Sequence, residues 1–357
     1  MNEIEERIKK IEEEIRKIPY HKGTEHHIGK LRARIAKLKD ELLEKQSGGG
    51  GGKGYGIRKS GDATVVLFGF PSVGKSTLIN KLTNAQSKVA SYDFTTLGVI
   101  PGMMEYKGAK IQIFDIPGVI EGAALGKGRG KEVISVVRAA DLIVLIVDPK
   151  NLNKLEILKK ELETAGIRLN QQPPKITILK KSSGGLKINS VFSLPFSELT
   201  IKEVAGEYKI INGEITIKEK ISFDQLIDAF AGNRVYLPYL TVLNKVDLLP
   251  GFKKPKLINL AISAEKGIGI EELKEAIWNK LGLVRIYLKK KDCQPDFKNP
   301  FIIRLGESLN DILERISICE KETFKKAKIF GPGAKYPNQE VPLIFVPQEG
   351  TIVEFSA

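Results

Sequence analysis

The sequence predicts an α/β fold built around a mostly parallel sheet. Apolar stretches of strand length repeatedly end in polar motifs, and a glycine-rich loop joins one of them to a helix. Parallel strands with intervening helices bring such motifs to one edge of a sheet. An N-terminal helical hairpin, an inserted small α+β domain and a C-terminal β-grasp domain are predicted around this core. At 357 residues the chain has room for roughly two to four domains.

Two amphipathic helices are predicted at the N-terminus. Isoleucines recur at alternating four- and three-residue steps from Ile4 to Ile18, and residues Ile28 to Leu42 repeat the pattern. The loop Pro19 to Gly29 holds all three histidines and is short enough for an antiparallel hairpin. The charged faces suit a contact with rRNA or a partner, or a solvated surface. A glycine-rich linker, Gly48 to Gly52, follows.

A phosphate-binding loop is predicted between the β-branched stretch Thr64 to Phe68 and a helix. Glycines let the backbone wrap an anion, while free N–H groups at the helix N-terminus and the charge of Lys75 attract it. Ser76 is predicted to ligate Mg²⁺ through its hydroxyl. The sequence therefore indicates binding of a nucleoside triphosphate. The predicted loop residues are Gly69, Phe70, Pro71, Ser72, Val73, Gly74, Lys75, Ser76 and Thr77.

Two further motifs are predicted to sense the γ-phosphate. Thr96 is the predicted second protein ligand on Mg²⁺, and Asp115, which ends the apolar strand Ile111 to Phe114, is predicted to bind the ion through water. The Gly118 N–H is predicted to contact the γ-phosphate, so hydrolysis would free both loops. The first motif consists of Phe94, Thr95 and Thr96. The predicted catalytic residues are Lys75, Ser76, Thr96 and Gly118.

Val119 stands where Ras-like enzymes carry a glutamine that orients the attacking water. An aliphatic side chain cannot do this. Slow intrinsic turnover is therefore predicted, with the water placed by backbone, by a monovalent cation or by a partner. The glycine-rich tract from Val119 to Gly130 is interpreted as a mobile lid, and a loop without a role is the alternative.

A guanine site is predicted far downstream, after the strand Tyr239 to Leu243. The Asp247 carboxylate can accept two hydrogen bonds from guanine, whereas adenine would leave it unpaired. Asn244 is predicted to brace this loop, and Lys245 is predicted to lie along the base plane. Asp247 thus disfavours a P-loop ATPase.

A second strand, Leu257 to Ile262, is predicted to end at the base site. It runs into Ser263 and Ala264, small residues predicted to contact the guanine carbonyl.

An inserted domain is predicted because roughly ninety residues separate Asp148 from Asn244, far more than one connecting helix needs. Its lysine clusters suit RNA contact or protect sheet edges from aggregation. The predicted strands and helix of the insert are Lys175 to Leu179, Gly185 to Val191, Glu214 to Lys218 and Phe223 to Phe230.

The sequence of the C-terminal region predicts a β-grasp fold. After the predicted helix Ile270 to Leu281, Val284 to Leu288 is a new strand, and the tail Phe301 to Ala357 holds the helix Leu309 to Ile316 and a last strand, Thr351 to Phe355.

Composition favours a polyanionic partner. The chain has 57 basic and 43 acidic residues, a net charge of +14, which suits a ribosome, an acidic membrane surface or plain solubility. Only Cys293 and Cys319 occur, without metal-ligand spacing, so a reducing cytoplasm is expected. The longest apolar run, Leu142 to Val147, is too short to span a membrane.

These motifs together resemble the developmentally regulated GTP-binding proteins, of the Obg-related class, and an archaeal member is expected. The resemblance implies a cytosolic GTPase that binds GTP or GDP with Mg²⁺ and associates with translating ribosomes, and a tail similar to a TGS domain. Relatives with an apolar residue at the Val119 position often use potassium, commonly held by a phosphate-loop asparagine. The matching residue here is Ser72, which is usual for this branch and leaves the potassium contact open. Further segments that carry the resemblance are Tyr106 to Gln112, Gly128 to Lys131, Gly166 to Asn170, Leu283 to Leu288 and Pro295 to Phe297.

The resulting prediction is a GTPase that acts as a nucleotide switch on ribosomes, with slow intrinsic turnover and potassium as a candidate activator. A nucleotide-gated RNA- or ribosome-binding scaffold with negligible turnover is the alternative. The expected partners are the ribosome or rRNA and an accessory regulatory protein, with a monomer off the ribosome. The predicted domains are 1–57 (hairpin and linker), 58–167 with 238–282 (GTPase domain), 168–237 (insert) and 283–357 (TGS domain).

Overall fold

The computed structural model describes residues 3–45, 60–83, 100–116, 136–249, 251, 254–316 and 324–356. The chain divides into two compact units. The first comprises Met1–Tyr55, Glu121–Arg138 and Ile157–Leu237, and the second comprises Gly56–Ile120, Ala139–Glu156 and Pro238–Ala357. The predicted sites at Phe94, Thr95, Thr96, Gly118 and Val119 and the linker Gly48 to Gly52 lie outside the described residues.

The elements of the described residues are as follows. The helices are α1 Glu3–Lys17, α2 Glu25–Lys45, α3 Lys75–Leu82, α4 Leu155–Thr164, α5 Glu198–Glu207, α6 Phe223–Ala231, α7 Ile270–Leu281 and α8 Leu309–Ile316. The strands are β1 Ala63–Phe68, β2 Ile100–Tyr106, β3 Ala109–Asp115, β4 Leu142–Val147, β5 Ile167–Leu169, β6 Ile176–Lys180, β7 Leu186–Ser190, β8 Gly213–Ile217, β9 Val235–Leu237, β10 Tyr239–Leu243, β11 Leu260–Ala261, β12 Leu283–Leu288, β13 Phe301–Arg304, β14 Lys326–Phe330, β15 Gln339–Pro342 and β16 Ile352–Ser356.

The second unit is built on a six-stranded sheet in the order β11-β10-β4-β1-β3-β2. Every strand pair is parallel except β2 with β3, which confirms the predicted α/β fold with a mostly parallel sheet. Strands β1 and β4 are buried along their whole length, as expected for β-branched runs in a sheet covered on both faces. The carboxyl ends of β1, β3, β4 and β10 meet at one edge.

Strand β11 is shorter than the predicted strand Leu257 to Ile262. Side-chain hydrogen bonds accompany the last backbone bond before it, which the Asn259 N–H donates to the Thr241 carbonyl at 3.0 Å. The Asn259 Oδ1 atom accepts from the Thr241 backbone N–H at 2.8 Å, and the Thr241 hydroxyl donates to the Leu257 carbonyl at 2.7 Å. Only Leu260–Ala261 remains as strand.

The tail forms a five-stranded mixed sheet in the order β13-β12-β16-β14-β15. Its two central neighbours, β12 and β16, are parallel and the other pairs are antiparallel. Helix α8 buries Leu309 and Ile312 against Val284, Ile303 and other apolar residues of this sheet. The arrangement fits the predicted β-grasp pattern.

In the first unit α1 packs on α2 through a small apolar cluster of Ile4, Leu38 and Leu42. Helix α2 begins earlier than predicted. The Thr24 carbonyl accepts from the Ile28 N–H at 3.0 Å, and threonine is a favourable residue before a first helical turn. His26 and His27 therefore lie in the helix, and the loop predicted for Pro19 to Gly29 is shorter.

The insert contains the three-stranded sheet β6-β8-β7 and the helices α5 and α6. The sequence did not predict α5. Ser197 caps its N-terminus by accepting from the Thr200 N–H, but the buried face includes Thr200 and Ala205, so the apolar periodicity is weak. The described residues contain no helix long and apolar enough to cross a bilayer.

Candidate functional site

The phosphate loop of the second unit has the backbone conformation of an anion cradle. Ser72 and Gly74 both have a positive φ, 63° and 91°, and alternating left-handed residues point successive N–H groups into one concavity. Gly74 precedes α3 and offers no side chain to cap its first turn. The N–H groups of that turn are therefore available to an anion.

Glycine is required at two loop positions because other atoms occupy the space of a β-carbon. A β-carbon at Gly74 would lie 2.4 Å from the Asn244 Nδ2 atom, and one at Gly69 would lie 2.3 Å from the Ile146 carbonyl oxygen. The loop thus fits closely against β4 and against the predicted base loop.

Lys75 is buried at the start of α3. Its Nζ atom donates to the carbonyls of Gly69 and Phe70, each at 3.0 Å. Burial lowers the pKa of Lys75, and the nearby Asp115 carboxylate opposes that shift. Because its charged form is poorly solvated, binding of an anion beside it is favoured.

Ser76 and Asp115 meet at the magnesium position predicted from the sequence. The Ser76 hydroxyl donates to Asp115 Oδ2 at 2.6 Å. The other carboxylate oxygen, Oδ1, is buried and has no hydrogen-bond partner. A buried carboxylate oxygen without a partner is costly, and a hard cation or its water would satisfy it. The donor set therefore fits Mg²⁺.

Asn244 joins the phosphate loop to the second loop of the predicted base site, which contains Ser263 and Ala264. It is 2 % exposed. Its Nδ2 atom donates to the Val73 carbonyl at 2.9 Å, and its Oδ1 atom accepts from the Ala264 N–H at 2.9 Å. One buried amide therefore holds both loops in register.

Asp247 lies in a short 3₁₀ turn, Val246–Leu248, beside Ser263. The hydrogen bond from the Ser263 side chain lowers the pKa of Asp247, and the charges of Lys266 and Lys245 act in the same direction. Ser263 is itself fixed by a backbone bridge to Ile268, with bonds of 3.0 and 3.1 Å. The carboxylate is thus held ionised, as an acceptor for guanine requires.

Lys245 reaches back to the phosphate loop. Its Nζ atom donates to the Ser72 carbonyl at 2.5 Å and lies 3.8 Å from Asp148 Oδ2. Sequence reasoning missed Asp148, although its place directly after the apolar strand β4 was a usable signal. It also missed Lys154, whose Nζ atom lies 5.0 Å from the centre of the Phe70 ring.

Most of the predicted site residues come together at this edge of the sheet. The described ones are the loop from Gly69 to Thr77, Asp115, Asn244, Lys245, Asp247, Ser263 and Ala264. The predicted contacts of Phe94, Thr95, Thr96 and Gly118 lie outside the described residues and stay predictions.

Comparison with known proteins yields matches along nearly the whole chain. Residues 64–181 match a family model described as 50S ribosome-binding GTPase, and residues 183–283 match the C-terminal region of MMR_HSR1 domain. An uncharacterized GTP-binding protein of Methanocaldococcus jannaschii is 48 % identical, over 98 % of this chain and 92 % of the relative. Developmentally-regulated GTP-binding protein 2 of Homo sapiens is 42 % identical, over 98 % of each chain. A solved GTP binding protein from Pyrococcus horikoshii OT3 is 12 % identical with a TM-score of 0.43, over 82 % of this chain and 99 % of that one.

Proposed function

Since the chain belongs to the developmentally regulated GTP-binding proteins, the family that its motifs resemble, we propose that it hydrolyses GTP and acts as a nucleotide switch on the ribosome. The observation that carries the proposal is the joined site, in which one buried asparagine ties the phosphate loop to the base loop. The proposed nucleotide would therefore contact two loops that the same buried side chain holds together at one edge of the sheet.

Recognition of guanine is assigned to Asp247, and the phosphates are assigned to the loop from Gly69 to Thr77. Competition of GTP and ATP for the wild-type protein tests the first assignment, and equal affinities would refute it. Asp247→Asn should shift preference toward xanthosine nucleotides, because the amide can donate to the added xanthine oxygen.

The proposed reaction is in-line attack of water on the γ-phosphorus. Lys75 stabilises charge that develops on the phosphate oxygens, and Ser76 and Asp115 are the proposed residues that hold Mg²⁺, with Thr96 as a further ligand and the Gly118 N–H on the γ-phosphate. The metal, when bound, would neutralise phosphate charge. With Val119 at the glutamine position, we expect slow intrinsic turnover.

Potassium is the proposed aid to this slow step. Ser72 stands at the asparagine position of potassium-using relatives, and its backbone carbonyl accepts a hydrogen bond from Lys245. Multiple-turnover phosphate release in potassium and in sodium, with and without ribosomes, tests this. Equal rates in both salts would contradict the potassium role, and negligible turnover in every condition would favour the scaffold alternative.

Ribosome binding is supported by the net charge of +14. The insert is the proposed contact, because basic residues of α2 already form ion pairs within the first unit. Lys30 pairs with Glu203 at 2.9 Å, and Arg34 pairs with Glu207 at 3.1 Å. In contrast, several lysines of the insert sheet are exposed. They include Lys175, Lys180, Lys187, Lys218 and Lys220.

Co-sedimentation with ribosomes, in GDP and in a non-hydrolysable GTP analogue, tests the ribosome role. The triple change of Lys180, Lys218 and Lys220 to Gln should weaken the binding and its salt dependence, since each phosphate contact releases counterions. A matched control removes the same charge from α1, at Lys9, Lys10 and Lys17, which are also exposed. Equal losses in both variants would contradict a special role of the insert and would leave net charge or the hairpin as the cause.

The remaining elements of the proposal are a cytoplasmic location, a TGS role for the tail, an accessory regulatory protein and a monomeric state off the ribosome.

A further inference from the structure

We infer that Asp148 is a positioning residue for the nucleotide, acting through Lys245. The inference rests on the proposed function, because it assigns Lys245 to the guanine base and the phosphate loop. The observation behind it is that the two oxygens of one buried carboxylate face different partners, only one of which is needed for the local turn.

Asp148 follows β4 directly and is 6 % exposed. Its Oδ1 atom accepts from the Asn151 backbone N–H at 3.0 Å and from Asn151 Nδ2 at 2.7 Å. These bonds cap the 3₁₀ helix Pro149–Lys154. Asparagine or serine would cap such a turn as well, so the turn alone does not require a negative charge.

The second oxygen, Oδ2, faces the Lys245 ammonium at 3.8 Å. That distance is too long for a hydrogen bond and short enough for a direct charge interaction. The Lys245 side chain is only 36 % exposed, so water screens the pair incompletely. The negative charge of Asp148 therefore attracts the Lys245 ammonium and favours one orientation of that side chain.

Lys245 also occupies an uncommon backbone conformation. Its φ is 63°, in the left-handed region that non-glycine residues seldom adopt. Its ammonium donates to the carbonyl of Ser72, which also has a φ of 63°. The lysine chain thus spans from the base loop to the phosphate loop, and Asp148 holds its charged end from the β4 side.

A second contact from the same turn supports this reading. Lys154, at the end of the 3₁₀ helix, lies over the Phe70 ring of the phosphate loop. The segment from Asp148 to Lys154 therefore borders the phosphate loop at two points, through Lys245 on Ser72 and through Lys154 on Phe70.

The charge of Asp148 should affect nucleotide binding rather than hydrolysis. Lys245 contacts Ser72 and Asp148, whereas the Ser76 hydroxyl bonds Asp115. Asp148→Asn and Asp148→Ser, which keep an oxygen for the cap, should weaken the binding of GDP and of a non-hydrolysable GTP analogue equally, by roughly three- to fivefold, the upper part of the range for a partly exposed pair. The KM for GTP should rise while kcat stays constant.

Three controls separate this role from a structural one. Asn151→Ala removes a capping bond but no charge, and it should leave both affinities unchanged. Asp148→Glu restores the charge and should regain part of the lost affinity. The difference between wild type and Asp148→Asn should also shrink at high salt, because the Debye length falls from about 30 Å at 0.01 M to about 3 Å at 1 M.

Melting temperatures of all variants are measured beside fluorescent-nucleotide titrations. The inference is overturned if Asp148→Asn and Asp148→Ser bind both nucleotides like wild type, or if they lower kcat at constant KM. If one of the two variants does not fold, the other decides the question. Failure of wild-type protein to bind GTP would refute the proposed function instead, so the two failures are distinguishable.

Discussion

Asn244 is expected to stabilise the second unit even when no nucleotide is bound. Its two hydrogen bonds, to the Val73 carbonyl and from the Ala264 N–H, are both 2.9 Å long, and the side chain is buried. Asn244→Ala removes both bonds. A buried carbonyl and a buried N–H then lose these partners, and the contact beside Gly74 is lost as well.

The size of the effect follows from these losses. A hydrogen bond contributes about 0.5–1.5 kcal/mol net, and leaving a buried group without a partner costs about 1–3 kcal/mol. With two bonds lost and partial relaxation, we expect the free energy of unfolding to fall by about 2–4 kcal/mol. At about 3 °C per kcal/mol for a unit of this size, the melting temperature should fall by roughly 6–12 °C.

Fluorescence of Trp278 is a suitable assay, because it is the single tryptophan of the chain and is buried in α7 of the second unit. Nucleotide-free protein is heated, and the transition is compared with that of Asp247→Asn. This control changes the same loop at a partly exposed side chain, and its melting temperature should fall far less than that of Asn244→Ala, because it alters only the contact of Asp247 with Ser263. If Asn244→Ala melts like wild type but binds GTP poorly, the brace forms only with nucleotide and the reasoning is wrong.

Three further predictions concern other parts of the molecule. Asp228→Ala should destabilise the first unit by about 3–5 kcal/mol, because the Asp228 side chain is 4 % exposed and pairs with Arg168 and Arg234. Calorimetry should show a lower melting temperature while the affinity for GTP stays unchanged. A loss of GTP affinity without a change in melting temperature would contradict this prediction. Ser263→Ala should raise the pKa of Asp247 toward 3.8. Because the pKa of Asp247 is lowered in the folded wild-type protein, the ionised carboxylate stabilises the fold above pH 3.8, and this stabilisation is lost as the pH falls through the lower pKa of the folded state. An NMR titration of the Asp247 carboxyl group that is identical in both proteins would refute the assignment. Glu275→Gln should return the pKa of Tyr106 from about 12 toward 10.0, because its hydrogen bond to Glu275 is the main cause of the rise; an ultraviolet tyrosinate titration checks this, and an unchanged curve would contradict it.

The sequence was sufficient for features that depend on local pattern. The strand Tyr239–Leu243 and the helices Ile270–Leu281 and Leu309–Ile316 have the predicted bounds, because their apolar spacing and flanking residues act over a few positions. The phosphate loop, Asp115 and the base-loop residues were predicted for the same reason, since each motif follows an apolar strand.

What the sequence could not supply depends on contacts between distant positions. Helix α5 buries a threonine and an alanine against the first unit, so its pattern carries little apolar signal. Strand β11 is cut short by Thr241, about twenty positions earlier in the chain. Asp148 has no motif of its own and acquires a partner only because β4 and β10 are neighbours in the sheet.

Net charge alone likewise does not indicate which basic residues are available to bind a ribosome. The α2 face offers Lys30, Arg32 and Arg34, which look available in the sequence, but each is paired with a carboxylate of the insert at 2.8 to 3.1 Å. A close ion pair has almost no net field beyond a Debye length. This face therefore attracts a polyanion weakly, and displacing its pairs would loosen α2 from the insert. Exposed lysines at the insert sheet keep their charge at no such structural cost, so a polyanion should contact that sheet before it contacts α2.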